Sequence, residues 1–372
     1  MTALLVDRVR ERLVGVPEIT PAAVASAVRS EAGGVLADAD VLDALHILRQ
    51  EFVGAGVLEP LLRDPDTTDV LVTAPDQVWV DGRNGLRRTE IRFPDEAAVR
   101  RLAQRLAVAV GRRLDEASPC VDGWLPGSNV RLHAVLPPLA PDGTCLSLRV
   151  LRPVGHDLNA LCALGTFSRQ TADLLRAIVA ARLAFLVVGG TGSGKTSLLG
   201  ALLGCVPADQ RVVCVEDAGE LRPDHPQFVR LVARPPNVEG AGEVTVRDLV
   251  RQALRMRPDR IVVGEVRGAE VCELLSALNT GHDGGAGTLH ANSPTEVPAR
   301  LEALAALGGL DRRALHSQLA AALHLVLHMR RAPDGRRHLA EIGLFTRVGD
   351  DVVVRPAWRP DWQGHELKEL LC

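Results

Sequence analysis

The stretch Gly189-Gly190-Thr191-Gly192-Ser193-Gly194-Lys195-Thr196 decides how the rest of the chain is read. It fits the pattern G-x-x-x-x-G-K-[ST] at every fixed position. Its flanks fit as well. Leu183–Val188 is an apolar strand, and Ser197–Cys205 reads as helix. Glycines let the backbone wrap closely around phosphates so that successive N–H groups point inward. The helix N-terminus adds partial positive charge. In this pattern Lys195 neutralises the β- and γ-phosphates, and the Thr196 hydroxyl faces Mg²⁺. Such a loop marks a nucleotide site and leaves the reaction open, because kinases, GTPases and motors share it. No convincing N-K-x-D guanine signature accompanies it, so ATP is expected over GTP.

Three further boxes lie downstream. Val213–Leu221 reads as a buried strand followed by two acids, Glu216 and Asp217. Ligands of open α/β sheets sit at the carboxyl ends of strands, where these acids reach a metal or its water. A solvated acidic turn is the plain alternative. Pro258–Gly268 is an apolar strand ending in Gly264-Glu265. A strand in this place usually ends in an Asp that holds Mg²⁺ through water; here Gly264 stands instead, and Glu265 can orient and deprotonate a water. Thr280–Ser293 carries His282 and His290 across a Gly-rich turn into a strand near Ala286–His290. Beside a nucleotide they sense the γ-phosphate; the other readings are structural histidines or a metal pair. Arg247, Arg251 and Arg255 recur every four residues and share one helix face. That face is either solvated, a subunit interface or a phosphate-side contact.

Outward from the loop, the chain from 169 onward alternates helices with short apolar strands at Ala184–Val188, Arg211–Val215, Arg260–Val263 and Ala286–His290. This pattern predicts an α/β fold with a parallel sheet covered on both faces. Residues 152–168, with Pro153, Gly155, Asn159 and Gly165, read as a linker. Residues 57–151 read as an α+β domain. Its strands are Asp69–Thr73, Gln77–Asp81, Arg131–Leu136 and Leu146–Leu151. A helix opens at Pro94-Asp95 with the apolar face Val99, Leu102, Leu106 and Val110. The Asp81–Gly85 stretch reads as a turn. Residues 1–56 read as helical. Leu5, Val9 and Leu13 form one pattern, Thr20-Pro21 opens a helix that Gly33-Gly34 stops, and Val41, Leu45, Leu48 and Phe52 form a third.

Composition limits the function classes. A length of 372 residues favours more than one domain. The net charge of −3 offers no global field for holding nucleic acid, so direct nucleic-acid binding is not expected. Aromatics are 3% of residues and Tyr is absent, which leaves few platforms for stacking bases. Seven Cys form no CxxC pair, and a reducing, cytoplasmic compartment is the simplest reading. Neither a signal peptide nor an apolar run of about 18 residues is evident in the sequence, so work at a membrane is expected to go through partners.

These boxes, in this order, resemble those of the secretion ATPases of type II secretion, type IV secretion and type IV pili. The matches fall at 189–196, 216–221, 261–267 and 282–290. GEVRG and NTGHDGGAGTLHANSP are similar to the Tad branch in particular. So are the upstream PDQVWVDGRNGL, RRLDEASPCVDGWLPGSNVRLHAVLPP and SLRVLR. The resemblance implies a RecA-like ATPase domain at 169–372 and a PAS-like α+β domain at 57–151. It implies a homo-hexameric ring with ATP between the two domains, docked on an inner-membrane platform protein. Carried over, Lys195 and Thr196 bind phosphate and Mg²⁺, Glu216 is the acidic-box carboxylate, Glu265 the catalytic Glu, and His282 and His290 the His box. Arg131 and Arg149 sit where the family sends arginines to the phosphates. Gly285 departs from the branch, where Ser is common. Three functions remain open: a pilus-assembly motor, a motor of a conjugation-like system moving DNA or protein, and a nucleotide-binding scaffold without turnover.

Overall fold

The computed structural model describes residues 8, 9, 12, 21–32, 48, 54–82, 85–151, 156–234, 236 and 240–371. Several expected features lie outside them: the patterns built on Leu5, Leu13, Val41, Leu45 and Phe52, the Thr20 cap, the Gly33-Gly34 stop, the Arg83-Asn84 turn, and Pro153 and Gly155. The chain divides into two compact units, Met1–Arg152 and Pro153–Cys372.

The first unit holds helix α1 (Pro21–Ala32), the short α2 (Glu59–Arg63) and α3 (Glu96–Ala109). Its strands are β1 (Thr67–Ala74), β2 (Gln77–Gly82), β3 (Arg87–Arg88), β4 (Cys120–Trp124), β5 (Val130–Val135) and β6 (Cys145–Val150). They form one sheet in the order β3-β2-β1-β6-β5-β4, antiparallel throughout. Asp95 caps α3 by accepting the Ala98 N–H, which satisfies a donor that the helix start leaves open. Val99, Leu102, Ala103 and Leu106 of α3 join Val70, Val72, Leu132, Ala134, Leu146 and Leu148 of the sheet in one core. Alternate residues of each strand point inward, as the period of two requires. β4 was not expected from sequence. Its short run Cys-Val-Asp-Gly-Trp buries only Val121 fully.

The second unit is built on a nine-stranded sheet. Its helices are α4 (Leu158–Ala163), α5 (Arg169–Ala180), α6 (Lys195–Leu203), α7 (Val246–Ala253), α8 (Glu270–Leu278), α9 (Val297–Leu307), α10 (Arg312–Ala322) and α11 (His365–Glu369). Its strands are β7 (Phe185–Val188), β8 (Val212–Glu216), β9 (Phe228–Val232), β10 (Arg260–Val266), β11 (Ala286–Leu289), β12 (Leu325–Arg331), β13 (Arg337–Val348), β14 (Asp351–Arg359) and β15 (Trp362–Gln363). The order is β15-β14-β13-β12-β7-β11-β10-β8-β9. From β12 to β9 all pairs are parallel; from β12 to β15 they are antiparallel.

Helices cover both faces. Leu175, Ile178, Leu198 and Leu202 pack on Phe185, Val187, Cys214 and Leu327 from one side. Val250, Leu274, Leu301 and Leu319 pack on Leu186, Val188, Val213 and Val263 from the other. This explains why the parallel strands read as unbroken apolar runs. The α/β class read from the sequence stands. The antiparallel extension was missed, because β13 and β14 mix polar and apolar residues without the clean apolar run of β7. Part of the expected linker is also helical: α4 buries Leu158 and Leu161 in the core of this unit. Among the described residues no helix is long and apolar enough to cross a membrane.

Candidate nucleotide site

The phosphate loop runs from the end of β7 into α6. Gly189, Gly192 and Gly194 have φ of 148°, 70° and 96°, a region L side chains rarely enter. A Cβ on Gly189 would also run into the Met329 carbonyl of β12. Gly190 faces open space, where an added Cβ meets nothing within 4 Å. Gly194 is the N-cap of α6, so the helix begins at Lys195, two residues earlier than the sequence suggested. Thr191 is exposed and Thr196 half-buried. Lys195 is buried, and its Nζ donates to the Gly189 and Gly190 carbonyls, each at 3.0 Å. Burial lowers its pKa, while the nearby Glu265 charge opposes that shift. Ser193 Oγ is buried without a hydrogen-bond partner.

Glu265 lies near the end of β10, half-buried. Its Oε2 accepts from Arg267 Nε at 2.5 Å, and its Oε1 pairs with His290 Nε2 at 2.6 Å. Two buried contacts hold this arrangement. Thr288 Oγ1 donates to the Gly264 carbonyl at 2.6 Å, which ties β11 to β10 and brings His290 beside Glu265. Glu270 accepts the N–H groups of Arg267 and Gly268, which closes the turn after β10. Burial, then the Lys195 charge, lowers the pKa of His290. The neutral ring therefore donates its Nε2–H, and Glu265 accepts.

Glu216 corrects a sequence expectation. It is not past the strand but is the last residue of β8, only 4% exposed. Asp217 is the exposed one. Glu216 Oε1 accepts from the backbone N–H of Glu220 (3.1 Å) and Leu221 (3.0 Å). Its Oε2 is buried without a partner. Burial pushes its pKa up to about 7. β8 and β10 pair Val215 with Val263, so Gly264 lies beside Glu216. A Cβ on Gly264 would stand 2.5 Å from Glu216 Cγ and 3.0 Å from its Oε1. The space an Asp at 264 would use is filled by a carboxylate from the neighbouring strand. That is the physical reason for Gly264 in a place where an Asp is usual.

The structure separates the two histidines. His290 follows β11 and His282 precedes it. At about 3.3 Å per residue, the strand puts them at opposite ends of the sheet. His282 Nδ1 bonds the Ala277 carbonyl in the last turn of α8, at 3.2 Å. Arg131 and Arg149 belong to the first unit, directly paired across β5 and β6. Arg131 makes a two-pronged bond to Asp122, at 2.9 and 2.6 Å, which lowers the Asp122 pKa. The arginine stripe is tied down within the unit. Arg247 and Arg251 both bond Glu273 Oε1 of α8, at 2.7 and 2.8 Å, and Arg255 reaches Gln252. Gly285 is also explained: a Cβ there would stand 2.6 Å from both the Ile261 carbonyl and Leu278 Cδ2.

Sequence reasoning missed the hairpin β12–β13. Arg337 Nε donates to the Gly192 carbonyl at 3.0 Å, across 145 positions of chain. No local signal carries a contact of that range.

Comparison with known proteins now adds to this geometry. Residues 51–354 match the family described as type II/IV secretion system protein. This chain belongs to that family. A Mycobacterium tuberculosis protein named "Putative conjugal transfer protein Rv3659c" is 66% identical over 332 residues, covering 88% of this chain and 94% of that protein. The type IV secretion system protein PtlH of Bordetella pertussis is 34% identical over 271 residues, covering 66% of this chain and 78% of that protein. Among solved structures, the Legionella pneumophila ATPase DotB aligns with a TM-score of 0.54 and 20% identity, covering 76% of this chain and 78% of that one. The pilus retraction motor PilT with bound ADP aligns with a TM-score of 0.54 and 20% identity, covering 85% of each chain. Both share the fold. The chain is thus a type II/IV secretion family protein with the RecA-like architecture of its ATPases.

Proposed function

We propose that this chain is an ATP-hydrolysing motor that works as a homo-hexameric ring on an inner-membrane platform protein, driving Tad-type pilus assembly or secretion. The observation that carries the reading is convergence. Lys195, Glu265 and His290 meet beside the phosphate loop, and the Glu216 carboxylate, whose Oε2 is buried without a partner, lies against Gly264. The N–H groups of the loop and Lys195 Nζ hold the phosphates of ATP. The residues fit Mg²⁺: a buried carboxylate oxygen without a partner, raised toward neutrality by burial, is stabilised by a cation. Thr196 and Glu216 would hold it, together with phosphate oxygens, as Mg²⁺ sites of this kind do. When bound, the ion would draw negative charge from the phosphates. Glu265 takes the proton of the attacking water, and His290 holds that carboxylate in place and reads the γ-phosphate. Arg131 and Arg149 are the arginines that would close on the phosphates. His282 has no part in this set, because its ring serves the end of α8.

A second reading is a motor of a conjugation-like system that moves DNA or protein. The names of the relatives favour it, since one is called a conjugal transfer protein and another a type IV secretion protein. One strain comparison separates the two. Cells whose only copy carries Lys195→Ala should lose ATP turnover in the purified protein and surface filaments in the cell. Lost turnover with normal filaments and lost DNA transfer or protein export would move the conclusion to the second reading. Full turnover in Lys195→Ala would sink both.

A further inference from the structure

The β12–β13 hairpin ends in four arginines, Arg330, Arg331, Arg336 and Arg337, all exposed. Arg331 and Arg337 face each other across the two strands. Asp334, the acid of the turn, pairs with Arg336 at 2.6 Å. The hairpin lies along the outside of the phosphate loop. The Met329 carbonyl fills the space beside Gly189. Met329 Cε and the Arg337 stem stand 3.4 and 3.3 Å from where a Cβ on Gly194 would be. Arg331 Nη1 stands 3.8 Å from the corresponding point on Gly192. Both ends and the middle of the loop therefore rest on this one hairpin.

The bond from Arg337 Nε to the Gly192 carbonyl has a consequence for the loop interior. A trans peptide points its C=O and its N–H in opposite directions. Holding the Gly192 oxygen from outside therefore turns the N–H of the same peptide, that of Ser193, inward. Here the Ser193 N–H leans on the Gly190 carbonyl, at 3.4 Å, a long bond that a phosphate oxygen would improve on. Gly192 has φ of 70°, and glycine has the freedom to turn that peptide either way. Inside the loop only the long Ser193 N–H bond to Gly190 orients it, and the Arg337 bond adds a second hold from outside.

We propose that Arg337 is a positioning residue of the nucleotide site: it clamps the Gly192–Ser193 peptide so that the loop is preset to receive phosphate. The proposal rests on reading 189–196 as a nucleotide site. It makes the C-terminal antiparallel extension part of that site, joined to it within one unit.

The test is titration of ADP into the full chain and its variants, with unfolding temperature measured in parallel without nucleotide. Arg337→Met keeps a stem against Gly194 and removes the donor. It should weaken ADP about fivefold, as expected for one charge-assisted bond to an exposed side chain. The nucleotide-free unfolding temperature should fall only slightly, by no more than the loss of one exposed hydrogen bond accounts for. Arg337→Lys, which restores a donor, should recover part of the affinity. Arg337→Met binding ADP as the unaltered chain does, while Lys195→Ala loses binding, would overturn the clamp and leave the nucleotide site standing. Equal binding by Lys195→Ala and the unaltered chain would overturn the site reading itself, and the clamp with it. A recovery by Lys that is absent, with Met weakened and still fully folded at the titration temperature, would also count against a donor-based clamp.

Discussion

The two ends of the central sheet carry buried charge in opposite ways. At the amino end Arg260 is 1% exposed and each nitrogen of its guanidinium is bonded. Nε donates to Gln210 Oε1, Nη2 to the Val179 carbonyl and Nη1 to the Gly284 carbonyl. Arg182 adds bonds to the Asp259 and Asp283 carbonyls, and His282 closes the end of α8. Arg211 Nε is buried without a partner at that end, while at the carboxyl end an oxygen of the Glu216 carboxylate, Oε2, and the Ser193 hydroxyl are both buried with nothing to bond. Burial moves both ends away from charge, bringing Arg260 down to about 10 and Glu216 up to about 7. A perturbed pKa alone therefore does not mark a site. Nor does a lone unmet atom, since Glu96 Oε2, Glu273 Oε2 and Gln318 Oε1 are also buried without a partner; what marks the carboxyl end is an unmet carboxylate oxygen and an unmet hydroxyl gathered beside the phosphate loop.

The sharpest way to break this contrast is a crossed pair of substitutions. Glu265→Gln keeps shape and loses the base. It should lower ATP turnover by about 10²–10⁴-fold while leaving urea unfolding near that of the unaltered chain. Arg260→Ala leaves two carbonyls and Gln210 unmatched and opens a cavity. It should lower stability by about 3–5 kcal/mol. Nucleotide affinity of the fraction that remains folded should hold. Urea curves and steady-state turnover on both proteins check the cross. A loss of turnover in Arg260→Ala that survives correction for unfolded protein would merge the two ends into one functional system.

Glu216 sharpens the contrast through pH. Its folded pKa, about 7, lies above the ordinary carboxylate value of 4.5. Between these values the native state holds the proton and the unfolded state releases it. Unfolding then releases a proton, so the slope of stability with pH is negative. The contribution of the protonated form is complete below about pH 4.5 and is lost as pH rises through about 7. The size is on the order of 3 kcal/mol for a shift of this extent. Glu216→Gln should flatten this part of the nucleotide-free stability profile between pH 5 and 8. Calorimetric melting across that range measures it, and an unchanged slope in the variant would place the titration elsewhere.

Much of this was readable in the sequence. Unbroken apolar runs such as Phe185–Val188 announce strands buried on both faces, and the glycine pattern of the loop announces left-handed backbone. Glu216 was readable only as one of two acids, because its burial depends on Gly264, which the sheet places beside it from 48 positions away. The Arg337 bond was hidden for the same reason. β13 lacked a clean period because its neighbours differ along its length: it is buried at Leu339, Ile342 and Gly343 and exposed at its far end. Arg247 and Arg251 showed their shared face, but not that Glu273 of the next helix would take both.

The smallest effect tests the contrast within a single motif. His282 and His290 stand eight residues apart, close enough to read as one box. Strand β11 sends one to each end of the sheet. His282 bonds the Ala277 carbonyl, so His282→Ala should lower stability by about 1 kcal/mol and leave turnover per folded protein intact. His290→Ala frees Glu265 from one of its two holders. It should lower turnover, with little effect on stability, since the ring is 41% exposed. Equal turnover losses at 282 and 290 would mean that the two ends communicate through β11, and that four residues of strand transmit what the hydrogen bonds keep apart.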